Sequence, residues 1–117
     1  MLDLNQFYQA IGSSAEETVK RLGVTEGIIT KFLKKFLADT SYSDLQKALD
    51  ENDTQTAFRM AHTLKGLAAN LGLQVLFTKA SAVTELLRAG DLEEAKVSMP
   101  VLQEEYERTV ALIEQLA

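Results

Sequence analysis

The sequence predicts an all-α fold, specifically an antiparallel four-helix bundle preceded by short N-terminal capping helices. The chain has one proline and six glycines among its 117 residues, so few residues interrupt helices. Alanine, leucine, glutamate, lysine and glutamine, which favour helices, are abundant. Apolar residues recur at intervals of three and four, and the two-residue alternation typical of strands does not stand out.

The length predicts a single domain over residues 1–117, with capping helices in 1–24 and the bundle in 25–117. A first short helix is predicted over residues 3–11, where four apolar residues share a face. The break at Gly12-Ser13-Ser14 can cap a second short helix near 14–22. The apolar residues of the first helix are Leu4, Phe7, Tyr8 and Ile11.

The next three helices are predicted from their end signals. Thr25 begins a strongly apolar helix that ends near Asp39, and Ser41 or Ser43 begins a shorter one. Asp53 is the predicted N-cap of the following helix, which Gly72 ends. The apolar residues of the helix from Thr25 are Ile28, Ile29, Phe32, Leu33, Phe36 and Leu37.

Two more helices complete the prediction. One runs over 73–89, and Gly90-Asp91 then forms a turn and cap. The last helix carries an apolar stripe that we interpret as core, and Pro100 is expected to kink or split it. The residues predicted to face inward from 73–89 are Val75, Leu76, Ala80, Val83, Leu86 and Leu87. Those of the last helix are Leu92, Ala95, Met99, Leu102, Tyr106, Val110 and Ile113.

Composition and charge limit the classes of function. The absence of cysteine excludes disulfides and thiolate metal sites and fits a reducing cytoplasm, and a single histidine makes the usual zinc sites unattainable. No signal pattern and no long apolar span occur, so we expect a soluble, cytoplasmic chain without a membrane partner. The net charge of −5 argues against nucleic acid as a partner, because phosphate backbones require a basic surface. We therefore expect a protein partner.

The only histidine, His62, is the most informative residue of the chain. On a helix that advances about 100° per residue, the apolar positions lie roughly opposite His62. This pattern predicts that the imidazole faces solvent or a partner and is not a hydrogen-bonded core group. The residues on its side are Gln55, Phe58, Arg59, Lys65, Gly66 and Ala69. Those opposite it are Ala57, Met60, Leu64, Leu67 and Leu71.

The surroundings of His62 suit chemistry at the ring. Lys65 places a cation one turn later, and Gly66 leaves bare helix that Ala69 extends. A helical glycine costs about 1 kcal/mol relative to alanine, which clearance for an approaching group would explain. The alternatives are a solvated lysine and a glycine packed closely against another helix. A neutral imidazole near pH 7 can attack a phosphoryl group, and Lys65 can neutralise the phosphoryl oxygens.

The run His62-Thr63-Leu64-Lys65-Gly66, followed by Gly72, resembles the signature of histidine-containing phosphotransfer (HPt) domains of two-component phosphorelays. The resemblance implies that His62 accepts the phosphoryl group, Lys65 stabilises it and Gly66 gives the donor access. It assigns Gly72 to the end of the helix and places Gln74 near the ring. The chain departs from many members at Leu67, where they carry serine or another small residue.

The same resemblance implies a monomeric phosphocarrier without a cofactor of its own, since magnesium belongs to the partner's acidic site. The expected partners are response-regulator receiver domains and a hybrid histidine kinase. The sequence contains no glycine-rich phosphate loop and no His-Glu-x-x-His pattern, so we expect neither kinase nor metalloenzyme activity. Two alternatives stay open: a helical adaptor that carries no phosphate, and the phosphotransfer segment of a larger chemotaxis-type kinase.

The role of the residues before His62 also stays open. Phe58 belongs either to an apolar docking patch around His62 or to a clamp under the N-terminal helices. Arg59 and Gln55 lie on the same face and are expected to contribute to docking or to the surroundings of the phosphoryl group.

Overall fold

A computed structural model describes all 117 residues of the chain and contains seven α-helices and no strand. The all-α class is therefore confirmed. A single bridge joins the two ends of the chain, where Leu2 pairs with Leu116. The helices are α1 (Leu4–Ala10), α2 (Ala15–Leu22), α3 (Glu26–Phe36), α4 (Ser41–Asp50), α5 (Thr54–Asn70), α6 (Gln74–Arg88) and α7 (Leu92–Glu114).

Side-chain caps begin most of these helices. Asp3, Ser14, Thr25, Asp53 and Asp91 each accept a hydrogen bond from the backbone amide three residues later. Such a bond satisfies an amide that has no partner inside the helix. The predicted starts at Thr25, Asp53 and Asp91 are confirmed, and the predicted break at Gly12-Ser13-Ser14 caps α2 through Ser14.

The helices after residue 25 pack mainly against their neighbours along the chain. α4 contacts α5, α5 contacts α6 and α6 contacts α7, while α3 contacts α2 and α7. Phe32 and Phe36 of α3 also line a groove with Leu67 of α5 and with Leu71, which directly follows α5. Five helices therefore follow residue 25, and α3 lies beside the C-terminal half of α5.

One cluster of 27 buried apolar residues runs from Leu4 to Leu116. Val75 was predicted to face inward but is 37% exposed, because it lies about 100° from the stripe that Leu76 begins. In α3, Ile28 and Phe32 likewise lie beside the buried stripe and not within it, and each is 40% exposed. The buried stripes are Leu76, Ala80, Val83 and Leu87 in α6, and Ile29, Leu33 and Phe36 in α3.

Pro100 lies inside α7, which continues without interruption from Leu92 to Glu114. Of the two predicted outcomes, a split at Pro100 is therefore wrong, and a kink stays a prediction. A proline removes one backbone hydrogen bond, but Met99 and Leu102 on either side of it are buried and hold the helix against the core. No helix is both long enough and apolar enough to span a membrane.

Candidate functional site

His62 lies near the middle of α5, and its side chain is exposed. The opposite side of the helix is buried, as predicted. Two members of that stripe differ from the prediction, since Met60 and Leu67 are half-buried while Ala61 and Ala68 are fully buried. Alanine has the smallest side chain that can lie where two helices approach closely. The imidazole forms no hydrogen bond within the chain, so both ring nitrogens are open to solvent or a partner.

Lys65 and Gly66 lie one turn after His62. Lys65 is half-buried and forms no ion pair, so no carboxylate of the chain neutralises its ammonium group. A Cβ atom added to Gly66 would have no atom of a neighbouring helix within 4 Å. Close packing against a neighbouring helix therefore does not explain this glycine. Ala69 is half-buried and continues the same strip of small residues.

An aromatic ring lies one turn before His62. The ring of Phe58 is nearly parallel to the imidazole, with an interplanar angle of 21° and centroids 5.9 Å apart. The guanidinium carbon of Arg88 lies 4.9 Å from the centroid of Phe58. Because Arg88 ends α6, Phe58 packs beside α6 and is not clamped under the N-terminal helices.

A groove of about 490 Å³ extends from Phe58 toward the beginning of α5. Arg59 lines it and donates a hydrogen bond from Nη2 to Oγ1 of Thr56, at 3.3 Å. Gln55 is exposed along the same groove. Arg59 and Lys65 form no ion pair and thus bring positive charge near His62, whereas Arg88 is paired with the carboxylate of Glu85 at 3.2 Å. The chain as a whole carries a net charge of −5.

Gln74 is not brought to the ring. It is the first residue of α6, beyond the C-terminal end of α5, and its side chain forms no hydrogen bond. His62 lies eight residues before the end of α5, which corresponds to about 12 Å along the helix axis. The structure therefore brings together Gln55, Phe58, Arg59, His62, Lys65, Gly66 and Ala69, and leaves Gln74 apart.

Arg88 is a neighbour of the site that the sequence analysis missed. It lies outside the apolar stripe of α6, so periodicity gives no signal for it. Phe58 and Arg88 are, however, equally distant in sequence from Leu73, in the turn between α5 and α6. Antiparallel helices bring such positions side by side, and that symmetry could have identified the pair.

Gly72 ends the signature helix, as predicted. Its φ of +70° belongs to the left-handed region that glycine adopts freely. The amides of Gly72 and Leu73 bond to the carbonyls of Ala69 and Ala68, at 3.3 and 2.9 Å. A Cβ atom at Gly72 would lie 2.4 Å from Oγ1 of Thr18 in α2. Glycine is therefore required both by the backbone turn and by the close approach of α2.

The N-terminal helices satisfy further carbonyls at this end of α5. The hydroxyl of Tyr8 donates to the carbonyl of Leu71 at 2.6 Å. Arg21 donates to the carbonyls of Ala69 and Asn70, at 3.0 and 3.1 Å. Burial raises the pKa of Tyr8 to about 12, so the hydroxyl stays protonated and remains a donor. Sequence reasoning placed α1 and α2 at one end of the bundle but did not identify these bonds.

At the N-terminal end of α5, the side-chain cap comes from Asp53. One of its carboxylate oxygens accepts from the amide of Thr56 at 3.1 Å. Hydrogen bonds from the side chain and backbone of Thr56 lower the pKa of Asp53, since they stabilise the carboxylate. Both ends of α5 are therefore fixed, and the backbone that carries His62 and Lys65 is held between them.

The geometry defines the chemistry that this surface can perform. No group of three or more histidine, cysteine, aspartate or glutamate side chains is placed to hold a metal ion. His62 has an aromatic neighbour and nearby cations, but no hydrogen-bonded carboxylate that would act as its general base. An exposed nucleophile beside unpaired cations is suited to receive an anionic group from a partner.

A sequence model of the Hpt domain matches residues 32–112. The match begins in α3 and ends in α7, so it includes the whole of α5 and excludes α1 and α2. Comparison with curated proteins and with solved structures found no match. Because the matched segment covers well over half of the 117 residues and contains the complete His62 signature, the chain belongs to the Hpt domain family.

Proposed function

We propose that this chain relays a phosphoryl group between the receiver-domain aspartates of response regulators, with His62 as the phosphorylated residue. Membership of the Hpt family implies phosphotransfer in two-component signalling. The observation that carries the assignment to His62 is its exposure on α5, with an unpaired Lys65 and an open Gly66 one turn away.

In the proposed reaction, the lone pair of an imidazole nitrogen attacks the phosphorus of a receiver aspartyl phosphate. A P–N bond forms as the P–O bond to the aspartyl carboxylate breaks, and that electron pair remains on the carboxylate. The other ring nitrogen keeps its proton or releases it to solvent. The reverse steps deliver the phosphoryl group to a second receiver, so His62 is regenerated and the chain acts as a carrier.

The neighbouring residues have distinct proposed roles. Lys65 pairs with the phosphoryl oxygens, because no carboxylate of the chain occupies its ammonium group. Gly66 and Ala69 leave room for the partner's acidic site, where the receiver supplies magnesium. Phe58, Arg59 and Gln55 contribute the docking surface on the other side of His62, whereas Gln74 is at most a contact at its margin.

We further propose that residues 1–117 act as one HPt-type domain in the form of a four-helix bundle. In this arrangement α3 and α4 together form the first member of the bundle, and α5, α6 and α7 form the other three. Residues 1–24 cap the bundle. The chain is proposed to be a cytoplasmic monomer that receives phosphoryl groups from a hybrid histidine kinase and has no ATP chemistry of its own.

The test is phosphoryl transfer from a receiver domain labelled on its aspartate. We expect a label on this chain that is labile in acid, stable in alkali and absent from His62→Gln. Circular dichroism should find His62→Gln as helical as the parent, because the side chain it replaces is exposed. A folded parent that accepts no label from a panel of receivers would favour the phosphate-free adaptor.

Lys65→Ala tests the electrostatic role. We expect transfer to slow by about tenfold or more, since a nearby cation stabilises the transferring group. Lys34→Ala is the matched control, because it removes the same charge from an exposed position on α3. Equal rates in the two variants would remove Lys65 from the mechanism.

A further inference from the structure

Phe58, His62 and Arg88 form a continuous contact that joins two helices. The imidazole stacks on Phe58 with centroids 5.9 Å apart, and the guanidinium carbon of Arg88 lies 4.9 Å from the Phe58 centroid. Nε of Arg88 also donates to a carboxylate oxygen of Glu85 at 3.2 Å, within α6. The guanidinium is thus held by two partners of its own chain.

An exposed histidine on a helix has several staggered rotamers available, and only some of them aim a ring nitrogen at an incoming phosphorus. An aromatic ring four residues earlier favours the rotamer that stacks on it. Phe58 can impose this choice because it is half-buried and packed against the core. The imidazole itself has no hydrogen bond that would orient it.

We propose that Arg88 is a positioning residue for phosphoryl transfer, which holds Phe58 from α6 so that Phe58 in turn orients the imidazole of His62. This inference rests on the proposed role of His62 as the phosphoryl acceptor. A cation over an aromatic ring is attracted to it, and the bond to Glu85 keeps the guanidinium in place. Orientation of the nucleophile thereby depends on the packing of α6 against α5.

The first arm of the test does not need a receiver. The His62 ring protons lie in the ring-current field of Phe58, so NMR reports the stack directly. Phe58→Leu should shift these resonances, and Phe58→Tyr should retain them. Arg88→Gln should move them in the same direction as Phe58→Leu but less, and Arg88→Lys should restore them in part. Arg59→Gln is the matched control, because it removes a positive charge near His62 without a contact to the Phe58 ring.

The second arm measures rates of labelling. Phosphoramidate phosphorylates the ring when an imidazole nitrogen displaces ammonia from phosphorus, so it probes orientation without docking. Initial rates measured at increasing concentrations of phosphorylated receiver, up to saturation, then separate kcat from KM. Phe58→Leu should lower kcat by about three- to tenfold with little change in KM, and Arg88→Gln should lower it by less, since misorientation affects the reacting complex.

The proposal is overturned if Arg88→Gln leaves the His62 resonances unchanged, or if it raises KM while kcat stays the same, as a docking residue would. Should Phe58→Leu fail to fold, Arg88→Gln decides the matter alone, because its side chain is 52% exposed. Failure of the parent to accept phosphate from receivers would count against the proposed function only. The NMR and phosphoramidate measurements would still decide the positioning role.

Discussion

The two ends of α5 are held in different ways. At the N-terminal end, Asp53 caps the helix through a bond to a residue three positions away. At the C-terminal end, Tyr8 and Arg21 reach the last carbonyls from 63, 48 and 49 residues away in sequence, and Gly72 makes room for α2. One end is therefore determined locally and the other by tertiary structure.

This difference bears on the site because His62 and Lys65 lie between the two ends. The helices that hold the C-terminal end, α1 and α2, lie outside the segment that matches the Hpt domain. They nevertheless supply partners for three carbonyls of residues 69–71. The N-terminal segment is thus an integral support of the helix that carries His62.

The largest expected effect is that of Gly72→Ala. Alanine at a φ of +70° is strained, and its Cβ would lie 2.4 Å from Oγ1 of the buried Thr18. Thr18 cannot yield easily, because its hydroxyl is bonded to the carbonyl of Ser14 at 2.8 Å. We expect a loss of about 2–4 kcal/mol in the free energy of unfolding, measured by urea denaturation.

Gly90→Ala is the matched control for this prediction. Gly90 has a φ of +78°, but a Cβ atom there would meet nothing within 4 Å. It should therefore report only the backbone strain, at about 1–2 kcal/mol. In Gly72→Ala combined with Thr18→Ala, part of the loss should be recovered. Equal losses in Gly72→Ala and Gly90→Ala would mean that the contact with α2 does not matter.

Tyr8→Phe should have an intermediate effect. It leaves the carbonyl of Leu71 without its donor in a buried site, which costs about 1–2 kcal/mol. Amide hydrogen exchange should accelerate in the last turn of α5 and remain unchanged in its first turn. Tyr42→Phe is the control, because that hydroxyl only accepts from Gln46 within α4. Uniform acceleration along α5 would contradict a clamp that acts on one end.

The contrast between the two ends also explains what the sequence could predict. Asp53 and Gly72 are recognisable because a cap and a left-handed turn require particular residue types at particular positions. The exposure of His62 follows from periodicity within one helix. These features depend on residues that are close in sequence, and the structure agrees with the predictions for each of them.

Features that depend on how helices meet could not be predicted from residues that are close in sequence. Arg21 resembles any solvated arginine in a short helix, and only the approach of α2 to Gly72 gives it carbonyls to bind. Arg88 is similar, since its contact with Phe58 requires the pairing of α5 with α6. Val75 is misassigned because it lies only about 100° around the helix axis from Leu76. Periodicity alone does not show which of these sides of α6 a neighbouring helix covers.

The smallest expected effect is that of Asp53→Ala at the locally held end. The hydrogen bonds from Thr56 lower the pKa of Asp53 in the folded protein. Its stabilising contribution is therefore complete above the pKa of the unfolded chain and is lost as the pH falls through the lower, folded-state pKa. We expect Asp53→Ala to lower Tm by a few degrees at pH 7, and this difference from the parent should shrink as the pH falls below about 4.

Thermal unfolding followed by circular dichroism over this pH range tests the prediction. The isosteric Asp53→Asn is the control, because asparagine still caps the helix but cannot titrate. A difference between Asp53→Ala and the parent that persists unchanged at low pH would show that the carboxylate charge contributes nothing at this end, and that the hydrogen bond to Thr56 alone holds it.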